Sequence, residues 1–193
     1  MSLFVAVVPP DDAIDDLADR VQGTRRDPAT SALLWQPASR WHVTMAFLGD
    51  PDDEFDDIVG SQMDGVAATM PMPMLHVAGS GRFGRQILWA GLAGLSAADD
   101  ALLADLARVV HSRLANAGLQ LERRHWHPHL TLARSRGADT RPAAALLQNY
   151  VGPAWSVTAL LTIRSTGGPQ PTHTVVHTSH VPRLTSPADG PDG

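Results

Sequence analysis

Leu3-Phe4-Val5-Ala6-Val7-Val8 is an unbroken apolar run ended by Pro9 and Pro10. It predicts a strand that stops where proline withdraws the backbone donor. Ile14, Leu17 and Val21 follow at helical spacing behind Asp11 and Asp12, acids that suit the positive end of a helix dipole. From 41 to 48 the period changes to two. Trp41, Val43, Met45 and Phe47 fall on one face of this predicted strand, and His42, Thr44 and Ala46 on the other. Residues 52–70 read as a second helix in spite of their glycines. The stretches MPMLHVAG and QILWAGL read as strands around a glycine-rich turn. The clearest helix covers 96–119: Leu103, Leu106, Val110 and Leu114 form its apolar stripe, and Gly118 is its natural stop. HLTLAR is then a strand, RPAAALLQNYV a helix, and SVTALLTIRS and THTVVHTS two further strands.

Strands and helices alternate, but some strands follow one another directly, as in hairpins. That order predicts an α+β fold of mostly antiparallel sheet, not a doubly wound parallel one. Residues 1–182 are expected to form one domain, and 183–193, TSPADGPDG with the two residues before it, a disordered tail.

Composition narrows the functional classes. With 44% hydrophobic and 18% charged residues the chain is globular. No run of about 18 apolar residues is present, so no membrane span is expected. The first residues carry acids and no basic stretch, unlike a secretory leader. Cysteine is absent, which excludes disulfides, thiolate metal sites and a thiol nucleophile and fits a cytoplasmic protein. The net charge of −5 gives no overall field to draw in a polyanion, so any such binding rests on a local patch. Every basic residue is arginine. Without lysine the chain is neither a P-loop protein nor a protein kinase, and it forms no lysine Schiff base.

One triplet occurs twice: His42-Val43-Thr44 and His129-Leu130-Thr131. In a strand, residues i and i+2 share a face, so each triplet presents an imidazole beside a hydroxyl and buries the apolar residue between them. The second lies about half the ordered chain after the first, as an internal duplication would place it. Two readings stand at this point. The histidines are either satisfied, half-buried structural residues or two halves of one site. In the second case one neutral imidazole removes a proton from a nucleophile and the other, protonated, gives one to a leaving oxygen. Two threonine hydroxyls suit the non-bridging oxygens of a phosphodiester, and no metal or other cofactor is needed.

The paired motifs resemble those of the two-histidine phosphoesterase superfamily, and within it the RNA 2′,3′-cyclic phosphodiesterase, or 2′-5′ RNA ligase-like, family. The likeness covers about residues 3–182. It includes LFVAVVPP, LLWQPASRWHVTMAFLGD, GRFGRQILWAGL, HPHLTLAR and IRSTGG. The resemblance implies a bilobal α+β fold, with two pseudo-symmetric lobes, helices outside and a central groove that takes one motif from each lobe. It implies that His42 is the proton donor to the leaving ribose oxygen and His129 the proton acceptor that activates water. Thr44, Thr131 and Arg134 would bind the substrate phosphate. Strict alternation, however, puts Arg134 on the face opposite His129, so it reaches the groove only where the strand ends, bends or bulges near Ala133. The implied activity is hydrolysis of 2′,3′-cyclic phosphate ends of RNA or oligonucleotides to a 2′-phosphate by a monomer. A small cyclic nucleotide or ADP-ribose cyclic phosphate is the alternative substrate. A non-catalytic module that binds RNA ends is the alternative class.

Other features are weighed beside these. Relatives often carry a Tyr after the C-terminal Ser-and-Gly segment, and GGPQPTHT places His173 near that position. Arg40, Arg82, Arg85, Arg123, Arg124 and Arg136 are candidates to line an RNA groove, since guanidinium forks grip phosphates. Trp35 or Phe83 could stack on a base, although core packing suits both better. HWHPH places His125, His127 and His129 on one face of a predicted strand, an arrangement that supports a metal-dependent hydrolase as a further rival. His173, His177 and His180 have helical ligand spacing within a β-rich run and are not expected to converge. GSGRFG matches a dinucleotide fingerprint, but a strand follows it where that fingerprint needs a helix, so it reads as a turn.

Overall fold

The computed structural model describes residues 1–122, 125–167 and 171–182. The elements in chain order are β1 (Ser2–Val7), α1 (Asp11–Arg25), β2 (Leu34–Trp35), β3 (Val43–Gly49), α2 (Phe55–Thr69), β4 (Met74–Phe83), β5 (Ile87–Gly94), α3 (Ala97–Asn116), β6 (His129–Arg134), α4 (Arg141–Leu147), β7 (Trp155–Ser156), β8 (Ala159–Ser165) and β9 (His173–His180). The sheet order is β7-β4-β5-β6-β3-β1-β8-β9, with β2 paired to β6. Each of these pairings is antiparallel. The fold class is therefore the α+β arrangement expected.

The two His-x-Thr strands, β3 and β6, meet at the centre of this sheet through one registered pair, Val43 and Leu130. On either side lies a four-stranded wing. One holds β3, β1, β8 and β9, the other β6, β5, β4 and β7. The wings are not the two halves of the chain. The run β1-α1-β3-α2-β4 matches β5-α3-β6-α4-β8 element for element, setting aside the two-residue strands β2 and β7. Yet β4 joins β5 in the far wing and β8 returns to pair with β1. Each half lends its last strand to the other.

One face of the sheet is packed under the helices. Leu3, Val5, Val7, Val43, Met45, Leu130 and Leu132 share a core with Leu17 of α1, Met63 of α2 and Leu106 and Val110 of α3. On the opposite face Phe4, Ala6 and Ile163 form a small buried apolar cluster. Burial of the first face is the main stabilising term, since apolar area contributes about 25 cal/mol per Å². The α3 start is capped as its sequence suggests, with the Ser96 hydroxyl accepting from the Asp99 N–H, and Gly118 takes φ +85° just past its end.

Arg164, within IRSTGG, is nearly buried. It grips both carboxylate oxygens of Asp56 through Nε, at 3.0 and 2.9 Å, and donates to the carbonyls of Pro51 and Asp52. This part of the resemblance thus fixes β8 to the segment that leads into α2.

Several sequence expectations need correction. Alternation in 41–48 fails after Met45: Met45 and Ala46 are both buried, and Phe47 is on the exposed face. The predicted helix at 141–151 ends at Leu147, and Tyr150 lies beyond it with its hydroxyl donating to Asp16. The run SVTALLTIRS is broken into β7 and β8. His125 and His127 precede β6, which starts only at His129. Within GSGRFG, β4 continues to Phe83 and the turn begins at Gly84, φ +58°. Gly81 makes room for the Trp89 indole, which lies where a Cβ would stand. The expected tail at 183–193 and the candidates Arg123 and Arg124 lie outside the described residues.

Candidate active site

The open face of the sheet forms a groove of about 700 Å³. His42, Thr44, His129, Thr131 and Arg134 all line it, so the five residues singled out in the sequence come together. The register explains how. Counting outward from the Val43–Leu130 pair of antiparallel strands sets His42 against Thr131 and Thr44 against His129. Each imidazole thus faces the other motif's hydroxyl.

Arg134 reaches the groove through a bulge. Along β5, Leu88 pairs with Ala133 and Trp89 with Thr131, which leaves Leu132 as an extra residue. Leu132 and Ala133 are both buried, and Arg134 returns to the histidine face. β3 repeats the device. Val5 pairs with Ala46 and Ala6 with Thr44, so Met45 is the extra residue and Phe47 returns to the groove. Phe47 therefore occupies, in one wing, the position that Arg134 occupies in the other.

The two histidines are held alike. The Nδ1 of His42 lies 2.8 Å from the Arg40 carbonyl, and that of His129 lies 2.7 Å from the His127 carbonyl. A carbonyl only accepts, so each Nδ1 carries the proton and donates it. The reacting nitrogen of both rings is then Nε2. Burial pushes His42 down to about 4, opposed by the bond to Arg40, with His173 and His129 lowering it further. Burial also lowers His129, again opposed by its backbone bond, and His127 and Arg134 add to the fall. Both imidazoles are thus neutral in the free protein at neutral pH, and both gain protons more readily beside an anion.

Aromatic rings fix the surroundings. Phe4 stacks on His42 with centroids 4.8 Å apart. Phe83 meets His129 edge-on at 4.8 Å, and Trp89 packs against His127 at 4.6 Å. The Trp126 indole N–H donates to the Thr44 carbonyl at 2.9 Å, which ties the segment before β6 to β3.

The remaining candidates divide clearly. Arg40 lines the groove. Arg82 is bound to Asp139 at 2.8 Å, with Arg85 at 3.8 Å from the same carboxylate, and neither lines the groove. Arg136 is exposed elsewhere. Phe83 is a groove residue, 37% exposed, whereas Trp35 packs against the core. His125, His127 and His129 all border the groove, and among the described residues no three His or acidic side chains are grouped to hold a metal ion. His173 and His177 part company: the first lies in the groove beside His42, and the second bonds Asp64 of α2 at 2.9 Å. Sequence reasoning missed Phe47, Trp126 and the placement of His173. A doublet of apolar residues after strict alternation, Met45-Ala46 and Leu132-Ala133, is the signal that would have revealed both bulges.

A family model described as the 2′-5′ RNA ligase superfamily matches residues 5–169. A Geobacillus stearothermophilus protein named RNA 2′,3′-cyclic phosphodiesterase is 34% identical over 113 residues, 55% of this chain and 34% of that protein. An Aeropyrum pernix protein of the same name is 25% identical over 116 residues, 58% of this chain and 62% of that protein. The matched stretches thus span about a third and somewhat under two thirds of these relatives. Among solved structures, TT0787 of Thermus thermophilus superimposes with a TM-score of 0.74 at 20% identity, covering 94% of this chain and 98% of that one. Escherichia coli LigT complexed with 3′-AMP does so with a TM-score of 0.70 at 20% identity, covering 93% and 97%. These likenesses show a shared fold.

Proposed function

The chain belongs to the 2′-5′ RNA ligase superfamily, and from that premise we propose that it hydrolyses 2′,3′-cyclic phosphate ends of RNA or oligonucleotides to 2′-phosphates. The observation that carries this reading is the pair of like-held imidazoles on adjacent strands, each with Nδ1 committed to a carbonyl and Nε2 left for chemistry. The names of the two curated relatives agree with it.

In the proposed step, His129 Nε2 takes a proton from water as its oxygen attacks phosphorus. The bond to the ribose 3′ oxygen breaks in line, and His42 gives that oxygen its proton. The product is a 2′-phosphate and a 3′-hydroxyl. Thr44 and Thr131 hold the non-bridging oxygens, and Arg134 adds a planar charge suited to phosphate. His42 is neutral in the free protein and takes its proton as the phosphodiester anion enters, because a nearby negative charge favours the imidazolium. Both motifs belong to one chain, so a monomer suffices for this chemistry.

The test is to incubate the protein with a short RNA ending in a 2′,3′-cyclic phosphate, with chelator present, and locate the product phosphate. A 2′-phosphate supports the reading. Absence of product, with His129→Ala behaving identically, overturns it in favour of an RNA-end binding module. One observation favours a smaller substrate: among the described residues lining the groove, Arg40 and Arg134 are the arginines. A rate that does not rise with chain length would identify a cyclic nucleotide or ADP-ribose cyclic phosphate as the better substrate.

A further inference from the structure

The groove is built from two matching strands, but its charge is not matched. Equivalent bulges return Arg134 to the groove from β6 and Phe47 from β3. The wing that carries His42 therefore has an apolar ring where the other wing has a guanidinium. On the His42 side the groove's guanidinium is instead Arg40, two residues before His42, and any further positive charge there must come from another element.

β9 adds a titratable group beside Arg40. His173 begins this edge strand, pairs across to Ser165 of β8 and lines the groove. Its ring lies edge-on to His42 with centroids 5.2 Å apart, and edge-on to Phe4 at 5.5 Å. Phe4 thus serves as a common wall for both imidazoles. Among the described residues, the charged or titratable groups facing His173 are Arg40 and His42. Arg164 of β8 points to the other face, where it is held by Asp56. Glu122 is a carboxylate that lines the same groove. Burial and the Arg40 charge hold His173 below the ordinary histidine value.

We propose that His173 is a third imidazole of the substrate site, one that binds the phosphate from the β9 side and takes up a proton as the anion arrives. This rests on the proposed phosphodiester chemistry for its substrate, but the phosphate contact stands without turnover. An approaching phosphate offsets the repulsion from Arg40 and compensates two adjacent imidazolium charges. A ribose 2′-phosphate, which approaches two negative charges near neutral pH, should draw this proton more strongly than the diester. His173 then tightens product binding at acidic pH and releases the product as pH rises. It acts here as a binding residue, distinct from the proton transfers of His42 and His129.

The experiment is an NMR titration of the imidazole resonances in the wild-type protein, empty and saturated with inorganic phosphate. The His173 signal is identified by its loss in His173→Gln. The expected result is a midpoint below the usual range when empty and about one unit or more higher with phosphate. Phosphate inhibition of His173→Gln should be about tenfold weaker than wild type at pH 6 and nearly equal at pH 8, the loss of one charged hydrogen bond. A His173 midpoint that phosphate leaves in place while His42 moves would overturn the proposal, as would equal inhibition at pH 6. Phosphate-linked titration of His173 in a protein that turns over no cyclic phosphate would sustain this inference and defeat only the catalytic reading.

Discussion

His42 and His129 are oriented by the same bond: each donates Nδ1–H to the carbonyl two residues before it, Arg40 and His127. The rings cannot flip without breaking that bond, so Nε2 is the nitrogen available to substrate in both. His42→Ala and His129→Ala should therefore each lower kcat by about 10²–10⁴-fold on a cyclic phosphate, the range of one acid–base group. Loss of both should cost less than the product of the two. A diester with an activated leaving group separates the roles. It should rescue His42→Ala, which lacks the donor, and leave His129→Ala slow; rescue of the latter alone would reverse the assignment.

The pH dependence has a definite sign. His129 must be neutral, which favours pH above its lowered value, and His42 must be protonated, which in the free protein is favoured towards about 4. The profile of kcat/KM should be bell-shaped, with its maximum on the acid side of 6.5. The profile of kcat should lie higher, because bound phosphodiester raises both histidines. A kcat/KM maximum above pH 8 would contradict the assignment.

The same burial affects stability. His42 titrates lower in the folded chain than in the unfolded one, so the unfolded state takes up its proton first. The stabilising effect is complete above about 6.5 and is lost as pH falls from there towards about 4, at most about 3 kcal/mol. Denaturant melts of His42→Gln should show a shallower loss over that window than the wild type. Parallel curves would show that His42 stays solvated.

Arg134→Gln should raise KM about tenfold or more, the loss of a charged bond to phosphate. Arg134→Lys should recover only part of it, since an ammonium lacks the planar fork. Steady-state kinetics on one cyclic mononucleotide checks this. Full recovery in the Lys variant would mean that Arg134 acts as a point charge alone.

Gly81→Ala should destabilise the protein by about 1–3 kcal/mol, because its new methyl group would overlap the Trp89 indole. Trp89 supports His127, whose carbonyl orients His129. Activity should fall along with the melting temperature. A variant that melts early but keeps wild-type kcat would separate the Trp89 contact from catalysis.

Much of this was legible in the chain. The stripe of Leu103, Leu106, Val110 and Leu114 identified α3, and the two triplets identified the groove residues, because both signals are periodic and local. The face of Phe47 was misread because alternation assumes a regular ladder, and the bulge at Met45 inserts one residue into it. The bulge at Ala133 was anticipated only because Arg134 otherwise pointed away. Trp126 and His173 were harder: each meets its partner across a distance in the chain, Thr44 for one and His42 for the other, and no local pattern marks such pairs.

The exchange of last strands between the two wings also sets an order of assembly. β1 is made well before β8, so Leu3 finds its partner Arg164 only when β8 has been made. Until then one edge of β1 lies open, and the wing that bears His42 lacks both β8 and β9. The wing with β4, β5 and β6 can assemble earlier. Pairings of such long sequence separation slow folding and leave intermediates with exposed strand edges. A nascent chain arrested before β8 should therefore bind chaperones and lack the closed groove, and synthesis of the final strands completes the site.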